Sequence, residues 1–193
     1  MRRFFFCTLL LGFALEVFAQ SSANNSRIAR AAESQIGVTL YYDPAYRVLA
    51  YPHGDVPLER GVCSDVVIRA FRAVGVDLQK LVHEDMRRAF GAYPKLWGLH
   101  RPDRNIDHRR VANLEVFLAR RGRRLALSQR GLDYRAGDIV TWTLPSGRLH
   151  IGVVTNKLEP SGQRPLVVHN IGAGAQLEDI LFAYKMRMRF RYF

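Results

Sequence analysis

The spacing of apolar residues changes midway along the chain, and this change limits the fold more than any other feature. From Cys63 onward the apolar positions recur every three or four residues: Val66, Val67, Ala70, Phe71 and Val74, then Leu78, Leu81, Val82, Met86 and Phe90, then Val111, Leu114 and Leu118. That is the period of helices with one buried face. After the Gly137-Asp138 turn the pattern becomes short apolar runs between turn residues. Ile139 to Leu144 is closed by Pro145-Ser146-Gly147, and His150 to Thr155 and Leu166 to His169 follow. The chain ends Lys185-Met186-Arg187-Met188-Arg189-Phe190-Arg191-Tyr192-Phe193, alternating at period two, with a basic face expected in water and an apolar face inward. Helices first and an antiparallel sheet second predict an α+β fold and exclude a βαβ dinucleotide binder.

Local signals refine this reading. A helix is expected over Arg27 to Gln35, with Ser26 as N-cap and Gly37 as its stop. Residues 38–62, rich in Tyr, Pro, Gly and Asp, predict an ordered loop with short strands. A central helix starts at Cys63 and ends at Gly75, another spans 77–92, and Asp107 is expected to cap a third over 108–121. No linker composition interrupts residues 27–193, which predicts one domain.

The N-terminus narrows the compartment. Met1-Arg2-Arg3 is followed by the apolar run Phe4 to Leu15 and then by Val17-Phe18-Ala19. This predicts a secretory signal over 1–19, cleaved after Ala19, and a polar leader over 20–26. The run is too short for a comfortable membrane span, so no integral span is expected after cleavage. Export to the periplasm or beyond changes the meaning of the charge. With 29 Lys and Arg against 17 Asp and Glu, the formal net charge is +12. An acidic envelope polymer then fits better than nucleic acid. Export also leaves Cys63 as the one thiol, which excludes an internal disulfide and paired-cysteine zinc sites. His83-Glu84-Asp85 and the group Asp103, Asp107 and His108 lack a recognisable ligand spacing, so no metal and no organic cofactor are expected.

The chemistry-bearing residues are Cys63, His150 and His169. Cys63 opens a helix, where unpaired N–H groups and the helix dipole favour a thiolate. His150 begins one predicted strand and His169 ends the next. If those strands are neighbours, His169 can fix the tautomer of His150, and His150 can serve the thiol as base.

These residues resemble NlpC-type cell-wall peptidases of the papain-like cysteine peptidase superfamily. The helix-starting Cys63, Gly137-Asp138-Ile139-Val140 with Trp142, and His150-Ile151-Gly152-Val153-Val154 carry the resemblance. It implies a papain-like fold with N-terminal helices on a C-terminal antiparallel sheet, and catalytic roles for Cys63, His150 and His169, with Asn170 a substitute for the third. More narrowly, the chain resembles domain of unknown function 1287. Gly61-Val62-Cys63-Ser64-Asp65-Val66, Val82-His83-Glu84-Asp85-Met86, Asn105-Ile106-Asp107-His108-Arg109-Arg110 and Val168-His169-Asn170-Ile171-Gly172 carry that match. NlpC-type enzymes have an Asp before the Cys that helps hold a peptide's amino end with an upstream Tyr. Here Val62 stands at that position. Asp65 follows two residues after Cys63, either as a substrate contact or as a complement to the helix dipole. Tyr41 or Tyr42 is the nearest counterpart to the Tyr. The expectation is an exported monomeric cysteine hydrolase acting on amide bonds in peptidoglycan stems. The alternatives are an acyltransferase or a lipid or thioester hydrolase on the same scaffold, or a non-catalytic basic envelope-binding protein.

Overall fold

The structure is a computed structural model that describes the backbone of residues 5–193 and side chains from residue 19 onward. The secretory leader expected over 1–19 therefore falls outside the described residues at 1–4, and for its side chains through residue 18. Helix α1 runs Phe5–Glu33. Residues 20–26 are thus helical, where a polar leader and a Ser26 cap were expected. Tertiary contact explains the difference: Asn25 is buried and its Nδ2 donates to the Phe193 carbonyl at 2.9 Å. None of the described helices is long and apolar enough to cross a membrane.

Residues beyond α1 fold back through a two-residue parallel pair, β1 (Tyr41–Tyr42) with β2 (Arg60–Gly61). Helix α2 spans Cys63–Arg72 and α3 spans Leu78–Ala89, capped by the Asp77 carboxylate accepting from the Gln79 N–H at 3.1 Å. The helix expected to continue to 92 tightens into a 3₁₀ turn at Phe90–Ala92. Helix α4 begins at Val111, not 108, and ends at Arg121. Asp107 does not cap it. A 3₁₀ turn occupies Asp107–Arg109, and the Asp107 carboxylate accepts from the Asp103 N–H and from Arg110 instead.

Six antiparallel strands follow: β3 (Arg123–Leu125), β4 (Ile139–Thr143), β5 (Leu149–Leu158), β6 (Pro165–His169), β7 (Gln176–Glu178) and β8 (Lys185–Arg191). Their order in the sheet is β3-β8-β4-β5-β6-β7. One face carries Ile139, Ile151, Val153 and Val168 and packs on α1, α2 and α4 through Ile28, Val67, Phe71 and Leu114. The other carries Val140, Trp142, Val154 and Val167 beneath Tyr134, Ile180 and Leu181. Each fully buried side chain of this size contributes about 1.5–3 kcal/mol. The fold is α+β, with helices preceding the sheet that they cover.

The basic face of β8 is not in water as expected. Arg189 Nε and Arg191 Nε donate to Asp138 at 2.8 and 2.7 Å, and Arg187 Nε donates to Glu115 at 2.9 Å. Asp138 is fully buried. A charge removed from water needs a partner and hydrogen bonds, and these two arginines supply both.

Candidate active site

Cys63 occupies the first position of α2 because Val62 is extended, with φ −115°, and because Asp65 secures the turn. Asp65 Oδ2 accepts from the Val62 N–H at 2.7 Å, which satisfies one of the donors that a helix start leaves over. Its carboxylate also takes both arms of the Arg109 guanidinium at 2.9 Å. The Asp65 side chain is 4% exposed. Asp65 is therefore an internal strut, and its assignment to substrate is corrected: both oxygens are engaged. Ser64 completes the junction, its Oγ donating to the Arg109 carbonyl at 2.7 Å. Asn170 is likewise a strut. It is fully buried, Nδ2 donates to the Gly61 carbonyl at 3.0 Å, and Oδ1 accepts from the Gly172 N–H. It ties the end of β6 to the residues that lead into α2.

The Cys63 thiol is 5% exposed and accepts from the backbone N–H of Ile151, the residue after His150. Burial pushes it up to about 12, and the nearby Asp65 carboxylate adds to the rise; the N–H groups of Ile151, Ser64 and Cys63 itself pull the other way. The thiolate expected from the helix start is thus reversed, because desolvation of the charged form outweighs the field of a single helix end.

His150 and His169 meet as the strand reading expected. Strands β5 and β6 are neighbours, and His150 Nε2 lies 3.0 Å from His169 Nδ1. Gly152 makes room for this packing, since a Cβ there would meet Val167 Cγ1 at 2.7 Å and His169 Cβ at 3.3 Å. His169 Nε2 in turn lies 2.7 Å from Glu178 Oε2. Glu178 faces Val167 across the β6–β7 pair and so shares a sheet face with His169.

This chain of contacts sets both tautomers. A carboxylate accepts, so His169 carries its proton on Nε2 and presents a lone pair at Nδ1. His150 must then donate from Nε2, which leaves Nδ1 of His150 as the free base. Burial, with His169 adding to it, lowers His150 to about 3. Burial also lowers His169, against the pull of Glu178. Both rings are neutral at pH 7. Trp142, 5.8 Å from the His150 ring between centroids, shields it from water; its Nε1 donates to the Leu181 carbonyl at 3.0 Å. No hydrogen bond joins the thiol to His150 in this structure. The thiol meets the backbone N–H of Ile151, while the His150 ring lies beside its cross-strand partner Trp142, on the sheet face that carries Trp142.

Cys63 lines a cleft of about 330 Å³, to which neither His150 nor His169 contributes. Tyr42, Trp97, Leu96 and Leu149 supply apolar wall, and Arg109 and Arg148 also line it. Arg110 stacks over Trp97 at 4.0 Å from the ring centroid. Of the two candidate tyrosines only Tyr42 faces the cleft. Tyr41, its neighbour on β1, points away and packs its ring against Arg60. Sequence reasoning missed Glu178, which sits on a strand too short to show a period. It also missed Arg109 and Arg148, which look like many other surface arginines.

A fold of helices followed by an antiparallel sheet, with a cysteine starting a helix and a hydrogen-bonded histidine pair on the sheet, defines the class. The chain belongs to the family described as domain of unknown function (DUF1287), which matches residues 29–192. It is 59% identical over 175 residues to the uncharacterized protein YijF of Escherichia coli (strain K12), covering 90% of this chain and 85% of that protein. Among solved structures it is similar to NlpC1 from Trichomonas vaginalis, at 14% identity and a TM-score of 0.47, covering 87% of this chain and 44% of that one.

Proposed function

We propose that the protein is an exported thiol hydrolase that cleaves amide bonds in the peptide stems of peptidoglycan. One observation carries this reading. The Cys63 thiol accepts from the N–H of Ile151, the residue after His150, and the Glu178–His169–His150 chain leaves Nδ1 as the lone pair of the His150 ring. Cys63 Sγ attacks the carbonyl carbon while its proton passes to His150 Nδ1. The Cys63 backbone N–H, at the first helical position, faces the oxyanion. His150 then gives that proton to the leaving nitrogen as the C–N bond breaks, leaving a thioester. Water loses a proton to the same nitrogen, adds to the thioester and restores the thiol. Because thiol and imidazole rest neutral, the proton moves with the attack and no thiolate is stored beforehand.

Digestion of purified sacculi, read by mass spectrometry of the released fragments, tests the reading. The wild type releases new free amines, and Cys63→Ser and His150→Ala release none above background. Retained binding to sacculi with no bond cut, unchanged in Cys63→Ser, would overturn it in favour of an envelope-binding role. Products joined to an added amine acceptor would make the same site a transferase.

A further inference from the structure

The lining of the Cys63 cleft is electrostatically one-sided. It holds two arginines and, among the described residues, no aspartate or glutamate. The two arginines are not equivalent. Arg109 gives its guanidinium to Asp65 and to the Ala45 and Asp43 carbonyls at 3.1 Å, so its charge is matched inside the protein. Arg148 is exposed, and no acidic side chain pairs with it among the described residues. Its backbone is fixed, because the Leu144 N–H donates to the Arg148 carbonyl at 2.9 Å and closes the β4–β5 turn. The guanidinium is thus a free cation on a rigid hairpin two residues before His150. The Tyr42 hydroxyl lies within electrostatic reach of both Arg148 and Cys63, and it has no hydrogen-bond partner among the described residues.

We infer that the cleft selects a substrate bearing a free carboxylate beside the bond that Cys63 attacks, with Arg148 as counter-ion and the Tyr42 hydroxyl as second donor. This rests on Cys63 being the nucleophile and deepens the reading above by naming the substrate's charge. A cleft meant for a free amine would need an uncommitted carboxylate. Asp65, the acidic residue nearest the nucleophile in sequence, is consumed by Arg109 and the Val62 N–H. A guanidinium and a phenol hydroxyl at one rim match the two oxygens of a carboxylate. Tyr42, Leu96 and Trp97 offer apolar wall to the neighbouring part of the ligand.

The test uses two alkylating probes of similar size and opposite character, iodoacetate and iodoacetamide. Their rates are read on the Cys63 peptide of the full chain by mass spectrometry. The ratio of the two rates is compared with the same ratio in the urea-unfolded chain, which cancels their intrinsic reactivities. Iodoacetate is expected to be favoured in the folded protein by about threefold to tenfold, the range for one partly solvated charge at close approach. The preference is retained in Arg148→Lys, lost in Arg148→Ala, reversed in Arg148→Glu, and eroded by salt. Equal ratios in the wild type and Arg148→Glu would overturn the inference. This readout needs no hydrolysis. A preserved preference with intact sacculi would sink the hydrolase reading alone. Cleavage of stem peptides at equal rates with the carboxylate free or converted to carboxamide would sink the carboxylate inference alone.

Discussion

The proton positions on His150 are set by a residue two contacts away. Glu178 fixes the proton of His169, and His169 fixes that of His150, over 2.7 and 3.0 Å. Glu178 touches neither thiol nor cleft, so it is a positioning residue. Replacing it by Ala removes the preference between the His169 tautomers and is expected to slow stem cleavage about tenfold, a fraction of the 10²–10⁴-fold effect of losing the base itself. Nitrogen NMR of the ring would show His169 changing from one tautomer to a mixture, which a purely structural role would not produce. An unchanged ring spectrum and rate in Glu178→Ala would remove Glu178 from the site. The Cys63 thiol is likewise set by its surroundings and not by its place at a helix start. The dipole and the N–H groups favour the thiolate, but burial, which a sequence does not display, is the larger effect on the thiol.

At the scale of elements, the junction of α2 with the Asp107–Arg109 turn holds Cys63 in place. Asp65 and Arg109 form a paired, almost fully buried link, with side chains 4% and 2% exposed. Breaking such a pair from one side strands a charge and costs about 3–5 kcal/mol. Asp65→Ala is therefore expected to lower the urea midpoint strongly and to cost activity with it; Arg109→Ala does the same, and the double variant loses less than the sum of the two. Additive losses would show that the pair is not coupled. The final strand shows a different element-scale effect. Thr141 pairs with Met188 and Trp142 with Met186, so Arg187 is an extra residue in a bulge. Met188 then packs with the helix-side core and Met186 with the far cluster. A strict period of two puts both on one face, which is why the alternation in the sequence misplaced Met186; Arg189 and Arg191 keep the alternation and are paired because the far face is itself covered.

The whole molecule carries several histidines buried in neutral form. His108 is lowered to about 4 from 6.5, first by burial and then by Arg109 and Arg72, against Asp77 and Asp55. His150 is lowered to about 3 and His169 is lowered as well. An unfolded histidine takes up its proton at a higher pH than these do. The stability they confer is therefore complete above pH 6.5 and drains away as the pH falls toward about 4 at His108 and about 3 at His150. For His108 alone the loss amounts to about 3 kcal/mol. Urea unfolding at pH 7, 5.5 and 4 is expected to show a falling midpoint, with a shallower fall in His108→Leu; the same fall in both would clear His108 of the effect. Much of the architecture was legible without coordinates. Period alone separated the helices from the sheet, because a buried face repeats at 3.6 residues in one and at two in the other. The turn residues and the order of β5 and β6 then made the meeting of His150 with His169 an expectation. What period and order cannot carry is anything set by burial or by a distant partner. The neutral thiol, Asp65 and Asn170 as struts, Glu178 behind His169 and the unmatched charge of Arg148 all depend on which groups from other elements come close. Only the tertiary structure decided those, because desolvation and hydrogen-bond pairing follow from distance in space.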